Sequence, residues 1–432
     1  MAGDAHRERA RAGAGDGLTP LRKNRDFLLL QTGQVLSSIG SESAGIAYPL
    51  LVLALTHSPA KAGVVGFARL APWVAIGFVA GVVVDRVHRK RLMIVTDVLH
   101  VACAASLVAA LALHDLTFAQ IVIVVFVEGS LLVLFNVAEF GALRSVVPSA
   151  QLPRAAAGEQ VRFSTINLVA PPLGGALFGL ARLLPFVVDT VAPAFSVLSL
   201  TAIRTRFQEE RDPDDAPLGA QFVEGFRWLW SHRFLRTSAL LFSWQNLVFE
   251  GLILALVVVA RQQGLTSAEI GGLVAALGAC SLVGSFAAPR IQRLLSVRAI
   301  IVLSFWLSFG LGAFVIFPNI YVLLAGALPM FAWVPAQSSV IIGYRIAVVP
   351  DRLTGRVNGV ARSTALIGAS LGPLVVGLLL ASVSARATVA VLVGIVLGLA
   401  LFATTSRTLR NAPSLAELET PVTPPALPGT VS

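Results

Sequence analysis

The chain has 432 residues, of which 56% are hydrophobic and only 13% are charged, and its formal net charge is +10. Soluble domains usually carry about 25% charged residues, so this composition, with a mean hydropathy of +0.80, excludes an ordinary soluble protein. It also argues against a nucleic-acid-binding domain, because the basic residues are spread over separate loops instead of one continuous surface.

Long apolar stretches recur along the chain, and each is close to the roughly 20 residues that a helix needs to cross a bilayer. The stretches are continuous, whereas strands of a membrane β-barrel are short and alternate apolar with polar residues. We therefore predict an all-α membrane protein with twelve transmembrane helices in two pseudo-symmetric six-helix bundles. The predicted spans are 27–55, 61–84, 92–113, 117–140, 157–181, 183–203, 237–260, 267–288, 299–317, 319–343, 357–381 and 387–405.

The basic residues are distributed unequally between the two sides of these spans. Of the 33 Lys and Arg residues, 26 lie in the two tails or in the loops that share a side with them. The loops of the other side contain only Lys61, Arg182, Arg261 and Arg386. Because loops rich in Lys and Arg remain cytoplasmic, we expect a multi-pass protein of the bacterial cytoplasmic (inner) membrane with both termini in the cytoplasm.

The second half of the chain repeats features of the first. A Val-Val-Pro sequence ends at Pro148 and again at Pro350, each time six residues before an arginine and 23 residues before another proline. We predict two six-helix halves, 26–203 and 237–406, and parallel repeats of this kind place a substrate path between the halves. The other predicted segments are a basic cytoplasmic tail (1–25), a cytoplasmic linker with an amphipathic helix (204–236) and a second cytoplasmic tail (407–432).

The loop between the second and third spans combines a glycine, an acid and a basic cluster: Gly81, Asp85, Arg86, Arg89, Lys90 and Arg91. Glycine lets two helices approach closely, and a carboxylate among arginines at a helix end can form ion pairs or cap a neighbouring helix. The loop resembles the signature loop of the major facilitator superfamily, although His88 replaces the family's second glycine. The resemblance implies a gate on the cytoplasmic side. A purely topological role would explain the arginines but not Asp85.

Spans five and eleven combine proline with glycine, at Pro171, Gly174, Gly175, Gly368, Gly372, Pro373 and Gly377. Proline removes a backbone hydrogen bond and glycine allows close packing, so such helices can kink and rock. The pattern resembles the antiporter motif of proton-linked exporters, and the whole chain resembles the bacterial drug and siderophore exporter branch of the superfamily. Ordinary packing is the alternative, because proline and glycine are common in membrane helices.

Four ionisable residues lie deep in the predicted spans: Glu42, Arg69, Glu128 and Glu250. A charge inside the bilayer is costly and is usually paired or functional. The spacing is compatible with a cluster of Glu42, Arg69 and Glu128, and we expect proton coupling to use one of the carboxylates, with Glu42 as first choice. The alternative is a static ion pair that holds helices together.

Other ionisable residues are placed closer to the ends of their spans. We expect Asp97 and His100 to brace the signature loop from the cytoplasmic side of span three. Asp189 is expected near the outer end of span six. Arg162 is expected to extend along its helix to the cytoplasmic interface.

The candidate substrate-pocket residues are Tyr48, Trp244, Gln245, Asn246 and Phe249. An apolar, aromatic pocket with few polar groups suits a hydrophobic or amphiphilic substrate. We therefore predict a secondary active transporter that exports an antibiotic or drug in exchange for protons by alternating access. The alternatives are a siderophore or metabolite exporter, an importer or uniporter, and a membrane-embedded sensor.

An enzyme is not indicated, because the chain contains no HExxH, GxSxG or P-loop pattern. We expect no cofactor and no metal. The expected partners are the small-molecule substrate, protons and the lipid bilayer, without nucleic acid, and we expect a monomer.

Overall fold

A computed structural model describes residues 21–205, 207 and 218–410, and the regular structure in these ranges is helical. The first six predicted spans correspond to α1 (Arg25–Thr56), α2 (Pro59–Ala75) with α3 (Gly77–Arg86), α4 (Arg89–Ala112), α5 (Phe118–Val146), α6 (Leu152–Leu180) and α7 (Leu184–Ala202). The linker helix is α8 (Leu218–Ser231). The last six spans correspond to α9 (Arg233–Gln262), α10 (Ser267–Leu294), α11 (Val297–Ser308) with α12 (Ala313–Ile316), α13 (Ile320–Val348), α14 (Asp351–Ser382) and α15 (Ala385–Thr405), before a final turn, α16 (Arg407–Arg410). The predicted all-α membrane fold is confirmed.

The second span differs from its prediction because it is divided at Ile76 into α2 and α3. Pro72 lies one turn earlier, where it removes a backbone donor from the helix. Hydrogen bonds of 2.8 Å from Ile76 N to Pro72 O and from Ala80 N to Ile76 O continue the helical path across the division. Within the described ranges, eleven helical stretches are individually long and apolar enough to span a bilayer. Together α2 and α3 are consistent with the twelfth.

The linker contains the helix that the sequence predicts. The rings of Phe222, Phe226 and Trp230 follow each other along one face of α8, with centroid separations of 6.1 and 4.6 Å. Leu229 is buried in a hydrophobic core that also contains residues of α9, α11, α13 and α14. Arg356 of α14 forms an ion pair with Glu224. The helix is therefore attached to the α14 side of the protein, and its place at the membrane interface stays a prediction.

The described residues form two compact units. The first unit contains the residues up to Leu51, those from Ala68 to the linker, and Thr266–Gly272. The second contains Val52–Phe67, the residues from the linker helix to Leu265, and those from Leu273 onward. The units differ from the two predicted halves in two short segments. Val52–Phe67 of the first half belongs to the second unit, and Thr266–Gly272 of the second half belongs to the first unit. Each unit has its own apolar core, the first around Leu30, Met93, Phe135 and Leu200, and the second around Leu235, Ile300, Phe305 and Val357.

Candidate functional site

Glu42 and Arg69 form an ion pair between α1 and α2 in the first unit. The distance from Arg69 Nη2 to Glu42 Oε2 is 3.0 Å. Gly45, one turn after Glu42, leaves the space that the guanidinium occupies, because a Cβ atom there would overlap it. The structure thus brings together two of the three residues that the sequence suggested as a cluster.

Glu128 of α5 lies in a separate hydrogen bond. Its Oε2 accepts from the hydroxyl of Tyr48, at 2.7 Å. The side chain is 7% exposed, and Oε1 is buried without a hydrogen-bond partner among the described residues. A buried acceptor without a partner is unfavourable, so this oxygen is a candidate position for a bound cation. Tyr48 is itself 3% exposed, so in this structure it is a buried partner of Glu128.

His100 and Asp189 form a second buried pair, which the sequence analysis did not anticipate. The distance from His100 Nε2 to Asp189 Oδ1 is 3.1 Å. The same Oδ1 also accepts a hydrogen bond of 2.9 Å from the hydroxyl of Ser41. The expectation that His100 braces the signature loop is therefore wrong, because its partner lies on α7.

The pairing of His100 with Asp189 depends on the antiparallel packing of α4 and α7. His100 is eleven residues after the start of α4, and Asp189 is thirteen residues before the end of α7. At about 1.5 Å per residue the two side chains therefore lie at nearly the same height, counted from the N-terminal end of α4 and the C-terminal end of α7. This equal depth can be counted in the sequence, and it identifies the pair once α4 and α7 are known to be neighbours.

The Tyr48–Glu128 pair and the His100–Asp189 pair form one polar cluster in the first unit. Ligand atoms of His100, Glu128 and Asp189 all lie within 4.8 Å of one another. An imidazole nitrogen and two carboxylate oxygens can hold a proton, and the same donors can ligate a divalent metal. We call His100, Glu128, Asp189 and Tyr48 the acid–histidine cluster.

A second charged network lies closer to the C-terminal end of α5 and the N-terminal end of α6. Arg162 contacts Glu139 Oε1 at 2.8 Å and Glu159 Oε2 at 2.5 Å. Gln31 of α1 donates a hydrogen bond to Glu159. The expectation that Arg162 extends to the interface is therefore wrong, because its guanidinium is held by two carboxylates. Glu139 is buried and was not among the predicted site residues.

The signature loop connects α3 to α4. Lys90 Nζ donates to the carbonyl of Ile203 at 2.7 Å, just after the end of α7, and Arg89 Nη1 donates to the carbonyl of Phe207 at 3.3 Å. Arg86 is exposed, and Arg91 is exposed within the first turn of α4. Asp85 lies on α3, and its side chain is outside the described residues. Lys90 satisfies a free carbonyl at a helix end, while the gating role of Asp85 stays a prediction.

In the first unit, the motif glycines of α6 stand where helix backbones touch. A Cβ atom on Gly174 would overlap the carbonyl oxygen of Ser43 on α1, and one on Gly175 would overlap that of Ser267 on α10. Gly271 meets Pro171 in the same way, since its Cβ would lie 2.5 Å from the proline carbonyl oxygen. These contacts explain why Thr266–Gly272 belongs to the first unit.

The second unit contains the equivalent arrangement around α14. Cβ atoms on Gly368 and Gly372 would overlap the carbonyl oxygens of Ser243 and Leu247 on α9. A Cβ atom on Gly377 would lie 2.7 Å from the carbonyl oxygen of Pro59, and one on Gly63 would lie 2.5 Å from that of Pro373. The α2 segment is packed against α14 by these glycines, which explains its place in the second unit.

The remaining pocket candidates lie on α9 in the second unit. Phe249 stacks on Phe331 of α13 with a centroid distance of 3.8 Å, and Asn246 donates to the carbonyl of Phe242. Trp244 is 49% exposed, whereas Gln245 is 5% exposed and its amide atoms have no partner among the described residues. Glu250 follows on the same helix and is half-buried. It belongs to a different unit from Glu42 and Glu128.

The architecture is that of a membrane transporter: long apolar helices form two units, and charged residues are buried among these helices. Residues 15–426 match the family described as "Transmembrane secretion effector". The chain belongs to this family, which is part of the major facilitator superfamily, and it is a transporter and not an enzyme.

Curated relatives at modest identity are exporters. The chain is 27% identical over 385 residues to the multidrug efflux pump Tap of Mycolicibacterium fortuitum, covering 85% of this chain and 92% of that protein. It is 24% identical over 406 residues to the enterobactin exporter EntS of Shigella boydii, covering 89% and 94%.

Solved structures show the same fold. A bacterial homologue of the lysosomal transporter Spinster, inward-facing and unoccupied, matches with a TM-score of 0.70 at 15% identity, covering 91% of this chain and 98% of that one. A bacterial homologue of the iron transporter ferroportin in an inward-facing state matches with a TM-score of 0.68 at 16% identity, covering 89% and 99%.

Proposed function

We propose that the protein exports a hydrophobic or amphiphilic small molecule, of the kind used as an antibiotic or drug, in exchange for protons by alternating access. The observation that carries this proposal is the acid–histidine cluster. A carboxylate at the centre of a membrane helix costs at least about 2.5 kcal/mol, and this cost is offset when the group carries a proton during transport. The similarity to a multidrug efflux pump supports the choice of substrate class.

Inverted membrane vesicles test this function. Vesicles that contain the protein should accumulate ethidium when respiration acidifies their interior, and vesicles from cells without the protein should not. Nigericin, which removes the pH gradient, should abolish the accumulation. Accumulation that survives nigericin and stops with valinomycin would instead indicate that the membrane potential drives transport.

A siderophore exporter is the second candidate, because the chain is also similar to the enterobactin exporter EntS. The two functions differ in what a deletion strain loses. Loss of resistance to lipophilic cations supports the drug exporter. Reduced siderophore in the medium together with unchanged drug susceptibility supports the alternative.

The orientation with both termini in the cytoplasm is also part of the proposal. Asp115 is exposed between α4 and α5, and Ser231 is exposed at the C-terminal end of α8. The basic residues predict that the first position faces outward and the second faces the cytoplasm. An impermeant maleimide added to intact cells should label Asp115→Cys and leave Ser231→Cys unlabelled, in a background without Cys103 and Cys280. Labelling of Ser231→Cys alone would reverse the orientation.

A further inference from the structure

The acid–histidine cluster contains two carboxylates and one imidazole, so a protonated His100 would balance only one of the two negative charges. Glu128 and Asp189 present oxygen atoms within 4.8 Å of each other, and both side chains are buried. Two carboxylates this close in an apolar interior cannot both stay ionised without a bound positive charge. The guanidinium of Arg69 contacts Glu42 at 3.0 Å, so with His100 on Asp189 one carboxylate of the cluster, Glu128, is left without a contacting cation.

The hydrogen bonds within the cluster indicate where the cation binds. Asp189 Oδ1 receives two contacts, from Ser41 and His100. Glu128 Oε2 receives one, from Tyr48, while Glu128 Oε1 has none among the described residues. Oε1 is thus the oxygen at which a proton would convert an unsatisfied acceptor into a donor.

We propose that the coupling proton is bound by Glu128 together with Asp189, that His100 and Tyr48 position these carboxylates, and that Glu42 and Arg69 form a fixed ion pair. This inference rests on the proposed proton-driven export and identifies its coupling site. In the transport cycle an O–H bond forms on Glu128 Oε1 with a proton from the outside, and it breaks when the proton is released to the cytoplasm. No other atom is transferred and nothing is oxidised or reduced.

The charged and titratable groups around the cluster come from five helices. They are Glu42 and Tyr48 on α1, Arg69 on α2, Asp97 and His100 on α4, Glu128 on α5, and Asp189 on α7. Asp97 lies one turn before His100 and also has a buried oxygen, Oδ2, without a described partner. The imidazole of His100 therefore has Asp97 one turn away on its own helix and contacts Asp189 on α7. This position favours a role in orienting the carboxylate of Asp189.

Glu42 differs from Glu128 in two respects. Its carboxylate already contacts the guanidinium of Arg69, and its side chain is 41% exposed. Removing the carboxylate would leave the guanidinium of Arg69 without its ion-pair partner inside the helical bundle. We therefore expect Glu42→Gln to reduce stability while the response to a pH gradient remains.

The test uses the purified full chain in proteoliposomes, with ethidium as the probe. Glu128→Gln and Asp189→Asn should each lose the acceleration of ethidium efflux by a pH gradient. A coupling free energy of about 1–3 kcal/mol corresponds to about 5- to 150-fold. Both variants should retain ethidium exchange without a gradient, which shows that they are folded. The matched variant Glu42→Gln should still be accelerated by the gradient.

His100→Gln keeps a hydrogen-bond donor for Asp189 and should shift the midpoint of the pH dependence of efflux. An unchanged midpoint would overturn the positioning role of His100. Equilibrium titration of the wild type with Zn²⁺ provides a further control. Tight binding that His100→Ala abolishes would overturn the proton assignment and make the cluster a metal site.

The outcomes separate this inference from the proposed function. If wild-type efflux ignores the pH gradient, proton-driven export fails and this inference fails with it. If the wild type responds and both Glu128→Gln and Asp189→Asn respond equally well, only the coupling site is overturned. Loss of the response in Glu42→Gln alone would return the coupling role to Glu42.

Discussion

Gly368→Val is expected to lower the stability of the protein severely. The valine Cβ would overlap the backbone carbonyl of Ser243, and it would lie 2.8 Å from the Ser243 hydroxyl. That hydroxyl also donates to the carbonyl of Thr364 at 2.6 Å, so neither group can move without breaking another contact. Overpacking usually costs about 1–3 kcal/mol, and the upper end applies here because the obstacle is backbone. Thermal unfolding of the purified protein in detergent measures the effect.

Gly359→Val is the matched control, because it lies on the same helix and introduces the same side chain. A Cβ atom on Gly359 would meet no other atom within 4 Å. We expect its unfolding temperature to stay close to that of the wild type. Equal losses at both positions would mean that helix propensity, and not contact with α9, determines the effect.

Arg162→Gln is the second substitution for which we expect a large effect. It would remove the partner of Glu139 and Glu159 while Glu139 stays buried. Breaking a buried ion pair by removing one partner costs about 3–5 kcal/mol. Arg407→Gln, on an exposed arginine of the final turn, should change the unfolding temperature little.

A double substitution shows whether the charge of Glu139 causes this loss. Combining Arg162→Gln with Glu139→Gln removes the uncompensated carboxylate, so we expect much of the lost stability to return. Interaction energies between contacting residues appear as departures from additivity. Strictly additive losses would contradict the ion-pair network as the source of stability.

The helices could be predicted from the sequence because the apolar runs are long and the proline and glycine positions are visible. The ion pair of Glu42 with Arg69 was also within reach, since α1 and α2 are consecutive and their loop is short. The division at Ile76 was not, because it falls within an apolar run that is otherwise continuous.

The partner of His100 could not be predicted in the same way. His100 and Asp189 are 89 residues apart, on helices that are not consecutive, and the packing of α4 against α7 is a tertiary property. The contacts of the motif glycines could not be predicted either. Their presence predicts close packing, while the helices that they contact, α1 and α10 for α6, become evident only in the folded chain.

The exchange of protons for substrate is tested most directly by recording both fluxes in one preparation. Proteoliposomes that contain the purified chain and trapped pyranine would receive ethidium from outside. Our account predicts that ethidium entry is accompanied by alkalinisation of the lumen in the wild type, and that Glu128→Gln takes up ethidium without this pH change. Ethidium entry through the wild type with a constant lumenal pH would contradict proton-coupled transport.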